Sequence, residues 1–277
     1  MRSAMHILRI RIYQPQAHYR VPFTYRRRHT YPISPYSTVI GFLCNVLGID
    51  DQSKPEYQQL KKIKISIAGR FGSKTTEYIW FRNLSESAHV GRFGSVENRS
   101  VGGHIEHIGG QSPTRIDILD DVHLVIHLAH ESEDFLGLIK NSLENPDKRL
   151  EILHLGRAED WIVLEEVSEV MKVSKFCVKI MDKNFRYFFW IPEKIWVPDG
   201  ASDNYGAFEG LLYRLPSFWT VADYEQTRNR HGQRIFEYVS AKLNDGLFGG
   251  MLFLCDEVKR SFLYDEDVKL PVFLANF

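Results

Sequence analysis

Arg26, Arg27, Arg28 and His29 run directly into Tyr31-Pro32-Ile33-Ser34-Pro35 and then into the apolar stretch that begins Tyr36-Ser37-Thr38-Val39-Ile40. Pro35 suits the first position of a helix and Ser34 suits its cap, where a serine oxygen can accept a free backbone N–H. Val39, Ile40, Leu43 and Leu47 recur at helical spacing and predict a buried stripe. Four cationisable side chains beside such a helix start make a place where phosphate can sit, because the free N–H groups and the helix dipole both favour an anion there. Anion binding is the chemistry these residues predict first.

The charge distribution sharpens that reading. Lys plus Arg and Asp plus Glu are both 35, so the chain is neutral overall. Residues 1–49 nevertheless hold seven arginines and no carboxylate, the first acidic residue being Asp50. A solvated charged surface is the ordinary explanation of such a run. A face built from arginine without glutamate partners gains nothing from pairing, however, and arginine is the residue of bidentate phosphate contacts and base stacking. The segment therefore predicts contact with RNA or DNA.

The elements that must position these groups follow from periodicity. His6 to Tyr13 alternates as a half-buried strand, Ile63 to Gly69 alternates again, and Glu77 to Arg82 and Val122 to Ala129 supply further strands. Glu133 to Leu143 reads as a helix stopped by Asn145-Pro146, with strands expected at Leu150 to Leu155 and Trp161 to Val167. The resulting order predicts an α+β fold with a ferredoxin-like, RRM-like βαββαβ core over residues 1–168. Periodicity disappears between Ser85 and Thr114, where six glycines accompany Arg92, Arg99, His89, His104 and His107. That length and composition suit a projecting hairpin that orders on binding. Residues 169–277 are rich in aromatics in strand-like runs and predict a β-rich C-terminal domain or extension with an acidic tail. Asp245 to Gly250 is glycine-rich but lacks the lysine and hydroxyl residue of a nucleotide loop.

Composition excludes several classes. Three cysteines, Cys44, Cys177 and Cys255, stand far apart, which predicts buried thiols in a reducing compartment. No pattern has metal-ligand spacing, so neither metal nor cofactor is expected. No apolar run of about 18 residues is present, and the strand-like N-terminus does not read as a signal peptide. A cytoplasmic protein without membrane contact is the expectation.

The run YPISPYSTVIGFL, the strand before it, and Leu155-Gly156-Arg157 after the second helix together resemble the CRISPR-associated protein family five. That family, of the RAMP superfamily, caps the 5′ end of the guide RNA in type I Cascade complexes, and the likeness covers about the first 165 residues and is most similar to the I-B branch. The resemblance implies a crRNA 5′ handle lying on Arg26, Arg27, Arg28, His29, Tyr31, Ser37 and Thr38. It further implies a thumb-like insertion carrying Arg92, Arg99, His104 and His107, with Arg115 and Arg157 near the same groove. Implied partners are the repeated backbone subunit and the large subunit of Cascade, with target DNA met indirectly. Recognition would be of single-stranded backbone and splayed bases.

Some members of that family cut the precursor themselves without metal, which needs a base for the 2′-hydroxyl, an acid for the 5′-oxygen and a cation for the phosphorane. Tyr31 or Tyr36, His29, His104 and His107 can be cast in these parts, with Arg26 or Arg27 holding charge. Eleven histidines make such a cast easy to assemble by chance, and no lysine stands between Lys74 and Lys140. A non-catalytic holder is the expectation, a metal-independent endoribonuclease the alternative, and a structural adaptor with an incidental arginine face the third reading.

Overall fold

The computed structural model describes residues 5–24, 27–83, 90, 100–101, 104–105, 110–172, 177–179, 186–197, 205–221, 234–245 and 262–277. The fold is α+β and mostly strand. Strand β1 (His6–Ala17) pairs antiparallel with β7 (Gly110–His130), which pairs on its other side with β3 (Lys64–Arg70). Strand β8 (Val163–Val167) and the short β9 (Met171–Lys172) pair along the other edge of β1, so the four long strands lie in the order β3-β7-β1-β8. Helix α1 (Tyr36–Val46) follows β1, α2 (Pro55–Leu60) precedes β3, and α3 (Glu133–Glu144) follows β7.

Helix α3 starts where Ser132 Oγ accepts the Phe135 N–H at 3.2 Å, with Glu133 and Asp134 in the first turn opposing the dipole. Helix α1 buries Val39, Ile40 and Leu43, the expected stripe. Its start differs from the expectation: Pro35 is the capping residue at ψ 163°, and the buried Ser34 hydroxyl donates to the Pro35 carbonyl at 3.3 Å. The proline carbonyl accepts the Thr38 N–H, so no side chain caps this end.

The alternation of β1 predicts one solvated face, yet Ile7 is as buried as Leu8. One face packs on the helices. The other meets Leu263 from strand β14 (Phe262–Asp265), Val272 from β15 (Leu270–Val272) and Leu274 just beyond it. These two pair with β10 (Cys177–Lys179) as a separate sheet. The C-terminal part is β-rich, and β11 (Phe188–Pro192) extends the main sheet by pairing with β3, followed by β13 (Arg234–Asp245) and β12 (Leu211–Val221). Trp190 sits in the same core as Tyr31, its indole N–H donating to the Ser34 carbonyl at 3.0 Å.

Strand β7 is longer than expected. It bends at Asp121, whose φ is +56°, opposite Gly72, and its first half pairs with β4 (Ser73–Asn83) as a two-stranded ribbon. The two-residue strand β2 (Arg27–Arg28) lies parallel along that half. The strand expected at Leu150 to Leu155 does not form: this segment is bent, with one isolated bridge from His154 to Trp161. Asn45 Oδ1 accepts the N–H groups of Leu150 and Glu151 at 3.0 and 2.8 Å, which takes up donors a ladder would need. Among the described residues no helix is long and apolar enough to cross a membrane, and no group of histidine, cysteine and carboxylate side chains is placed to hold a metal ion.

Candidate nucleic-acid interface

A cleft of about 470 Å³ opens between the ribbon, the start of α1 and the loop that joins α3 to β8. Arg20, Arg28, Ser37, Thr38, Gly156 and Arg157 line it, with Ile79 and Ile116 as the apolar wall. A second hollow of about 330 Å³ shares Ser37, Thr38 and Gly156 and continues the groove along α1 toward Asn45 and Trp219.

One buried carboxylate builds the loop side. Asp160 is 1% exposed and accepts the backbone N–H groups of His18 and Arg157 at 2.9 and 2.8 Å. It also holds the Arg157 guanidinium, Nη2 at 2.7 Å and Nε at 3.0 Å. Burial alone would lower the Arg157 pKa, but the hydrogen bond and charge of Asp160 outweigh it, so the guanidinium stays charged and fixed in direction. Gly156 is required here: its φ is +119°, and a Cβ would stand 2.7 Å from Asp160 Oδ2 and 3.0 Å from the His18 carbonyl. Gln14 ties the loop to β1 by donating to the carbonyls of Leu155 and Asp160, and the Tyr19 hydroxyl donates to Gln14 Oε1.

His18 forms the floor. It is 3% exposed, and its Nδ1 meets the Asp117 carbonyl at 2.7 Å, which assigns the proton to Nδ1 in the neutral ring. Nε2 has no partner among the described residues. Burial pushes the imidazole below its ordinary pKa, and the charge of Arg157 adds to this. The result is a neutral acceptor beside cations. Arg28 feels burial first and then the charge of Arg20, both of which lower its pKa. Two guanidinium groups that oppose each other across a cleft are stabilised by an anion between them.

The structure sorts the arginine run by strand alternation. Arg28 stands level with Ile116 and faces the cleft, whereas Arg27 and His29 point to the other side of the ribbon. There both meet Asp117, at 3.5 and 3.0 Å. Arg115 is exposed on that outer side, level with Arg27 and Tyr78. The supposition that this segment lacks acidic partners is corrected: carboxylates from distant positions meet Arg9, Arg11, Arg27 and His29. Ser37 and Thr38 line the cleft.

Tyr31 is a correction as well. It is 4% exposed, its ring edge-on to Trp190 and Tyr213, and burial pushes its phenol up to about 12. Tyr36 is fully buried against Phe277. Both candidate tyrosines of the nuclease cast therefore serve the core. Arg26, Arg92, Arg99, His89 and His107 lie outside the described residues. His104 is described by backbone alone, where β6 (His104–Ile105) pairs with β5 (Ser100–Val101).

His18, Arg20 and Asp160 were not singled out by sequence reasoning. Arg20 lay in the acid-free segment, and Asp160 stands three residues after Arg157 in a glycine loop, a spacing that suits a local clamp. His18 offered no signal, since its role depends on an Asp117 carbonyl distant in the chain.

A model of the family described as CRISPR-associated protein (Cas_Cas5) matches residues 7–237. No curated protein matches the chain. Among solved structures, a chain of a "CRISPR RNA-guided surveillance complex" is similar at 12% identity and TM-score 0.51, covering 86% of this chain and 88% of that one. A chain from "Crystal structure of Cas protein" gives 14% identity and TM-score 0.41, covering 85% and 95%. A CRISPR protein from Archaeoglobus fulgidus gives 14% and 0.37, covering 89% of each. With a family match that spans the ribbon, the first helix and the glycine loop, the chain belongs to the Cas5 family of CRISPR-associated proteins.

Proposed function

We propose that this chain is a non-catalytic subunit of a type I CRISPR Cascade surveillance complex and holds the 5′ handle of the crRNA in the cleft. The observation that carries the proposal is convergence: Arg20, Arg28 and Arg157 meet the α1 N-terminus and a neutral imidazole acceptor in one groove. The arginines and the free N–H groups of α1 suit phosphates. His18 Nε2 suits a donor, and a ribose 2′-hydroxyl next to a bound phosphate is the group that supplies one in RNA and not in DNA. The order β3-β7-β1-β8 with helices after the first and third of the core strands supports a ferredoxin-like reading of the core. Arg26 and the insertion residues Arg92, Arg99, His104 and His107 remain part of the proposal as further handle contacts. The backbone and large subunits of Cascade are the proposed partners, cytoplasmic and I-B-like the proposed setting.

A second reading has one observation in its favour. His18 is neutral, unpartnered at Nε2 among the described residues and flanked by cations, as a base for the 2′-hydroxyl would be. A metal-independent endoribonuclease is therefore the alternative. Incubation of purified protein with repeat RNA in EDTA decides between them: an intact RNA that shifts with the protein supports the holder. Specific cleavage lost in His18→Asn establishes the nuclease.

A further inference from the structure

The ribbon has two faces, and the cleft uses one. On the other, Tyr78 and Trp80 are 57% and 56% exposed, two residues apart on β4, with ring centroids 6.0 Å apart and planes at 89°. Register places Tyr78, Arg115 and Arg27 in one row across β4, β7 and β2. Lys74 lies further along the same face and reaches Asp117 at 3.9 Å.

The acid on this face is already answered. Asp117 is 1% exposed, and burial would raise its pKa. Hydrogen bonds from His29 and Thr76 and the charges of Arg27 and Lys74 overcome that and hold it below the ordinary carboxylate range. Among the described residues, one buried carboxylate set against Arg27, Lys74 and Arg115 leaves this face positive. Glu77 is level with Ile116, so it belongs to the cleft side. Two solvent-facing rings in a positive field match the chemistry of a single nucleic-acid strand, whose bases stack on aromatics while its phosphates meet arginine and lysine.

We propose that the outer face of the ribbon is a second nucleic-acid surface, on which Tyr78 and Trp80 stack the bases of a single strand. Arg27, Lys74 and Arg115 meet the phosphates of that strand. This stands on the ribbon alone, whatever occupies the cleft.

The test uses the full chain with Arg20→Ala and Arg28→Ala, so that remaining affinity reports the outer face. Labelled oligoadenylate and oligodeoxyadenylate of about ten nucleotides serve as RNA and DNA probes in anisotropy titrations. Tyr78→Ala with Trp80→Ala should weaken binding by roughly tenfold or more, whereas Tyr78→Phe with Trp80→Phe should retain it. Arg115→Ala should lower the salt slope by about one. Loss confined to the RNA probe identifies a guide strand, loss confined to the DNA probe a displaced strand, and loss in both a sequence-tolerant platform; each supports the surface. Three results overturn it: no residual binding before the rings are removed, unchanged binding after, or equal loss in the phenylalanine pair. Failure of the cleft reading shows separately, as handle affinity that ignores Arg20→Ala and Arg28→Ala.

Discussion

Arg9 and the pair Arg20 and Arg28 come from the same acid-free segment and meet opposite fates. Arg9 is 4% exposed on the second face of β1, where its guanidinium meets Glu166 at 2.6 Å, Asp265 at 2.7 Å and Asp267 at 3.2 Å. His127 Nε2 adds a contact to the same Asp265 oxygen at 2.8 Å. The cluster ties β1 to β14, a strand over 250 residues away in sequence. Arg20 and Arg28 line an open cleft and oppose each other. Local sequence does not separate these fates; the carboxylates that hold Arg9 stand at Glu166, Asp265 and Asp267, far along the chain.

Breaking the buried side should have the largest effect. Arg9→Ala leaves Asp265 buried without its guanidinium partner, and urea unfolding should show a loss of about 3–5 kcal/mol. The pH dependence of the same cluster has a definite sign. Burial would raise the Asp265 carboxyl, but the hydrogen bonds and charges of His127 and Arg9 outweigh it and hold it well below the ordinary range. A carboxyl depressed in the folded state contributes stability above its unfolded value of about 3.9. That stability is lost as pH falls through the folded value, so urea midpoints should fall below about pH 4. In Arg9→Ala the folded-state carboxyl lies closer to its unfolded value, so the acid-dependent decline should be smaller.

Smaller effects test the cleft. Gly156→Ala forces a Cβ against Asp160 and His18 at a φ of +119°, and unfolding should reveal about 1–3 kcal/mol of strain together with weaker handle binding. His18→Asn keeps a donor for the Asp117 carbonyl and removes the Nε2 acceptor, so preference for RNA over DNA of the same sequence should fall by roughly fivefold, one hydrogen bond's worth. Arg20→Ala with Arg28→Ala should change stability least, by no more than about 0.5 kcal/mol, because burial and the charge of Arg20 both disfavour the Arg28 cation.

Much of this was legible in the sequence. The stripe of α1 and the span of α3 follow from residue spacing alone, and Ser37 and Thr38 sit in the first turn of α1. What escaped depends on partners far along the chain. Tyr31 is a handle contact by resemblance, yet Trp190 and Tyr213 enclose it. Arg27 and Arg28 read as one patch, but pairing with β7 turns them to opposite faces, a consequence of strand register that composition does not carry.

The most direct measurement is the salt dependence of affinity for a synthetic RNA carrying the repeat-derived 5′ handle, compared between wild type and the Arg20→Ala, Arg28→Ala variant. The cleft account predicts weaker binding and a slope of log affinity against log salt reduced by about one for each phosphate contact removed, with the fold intact. Unchanged affinity and slope in a folded variant would contradict it.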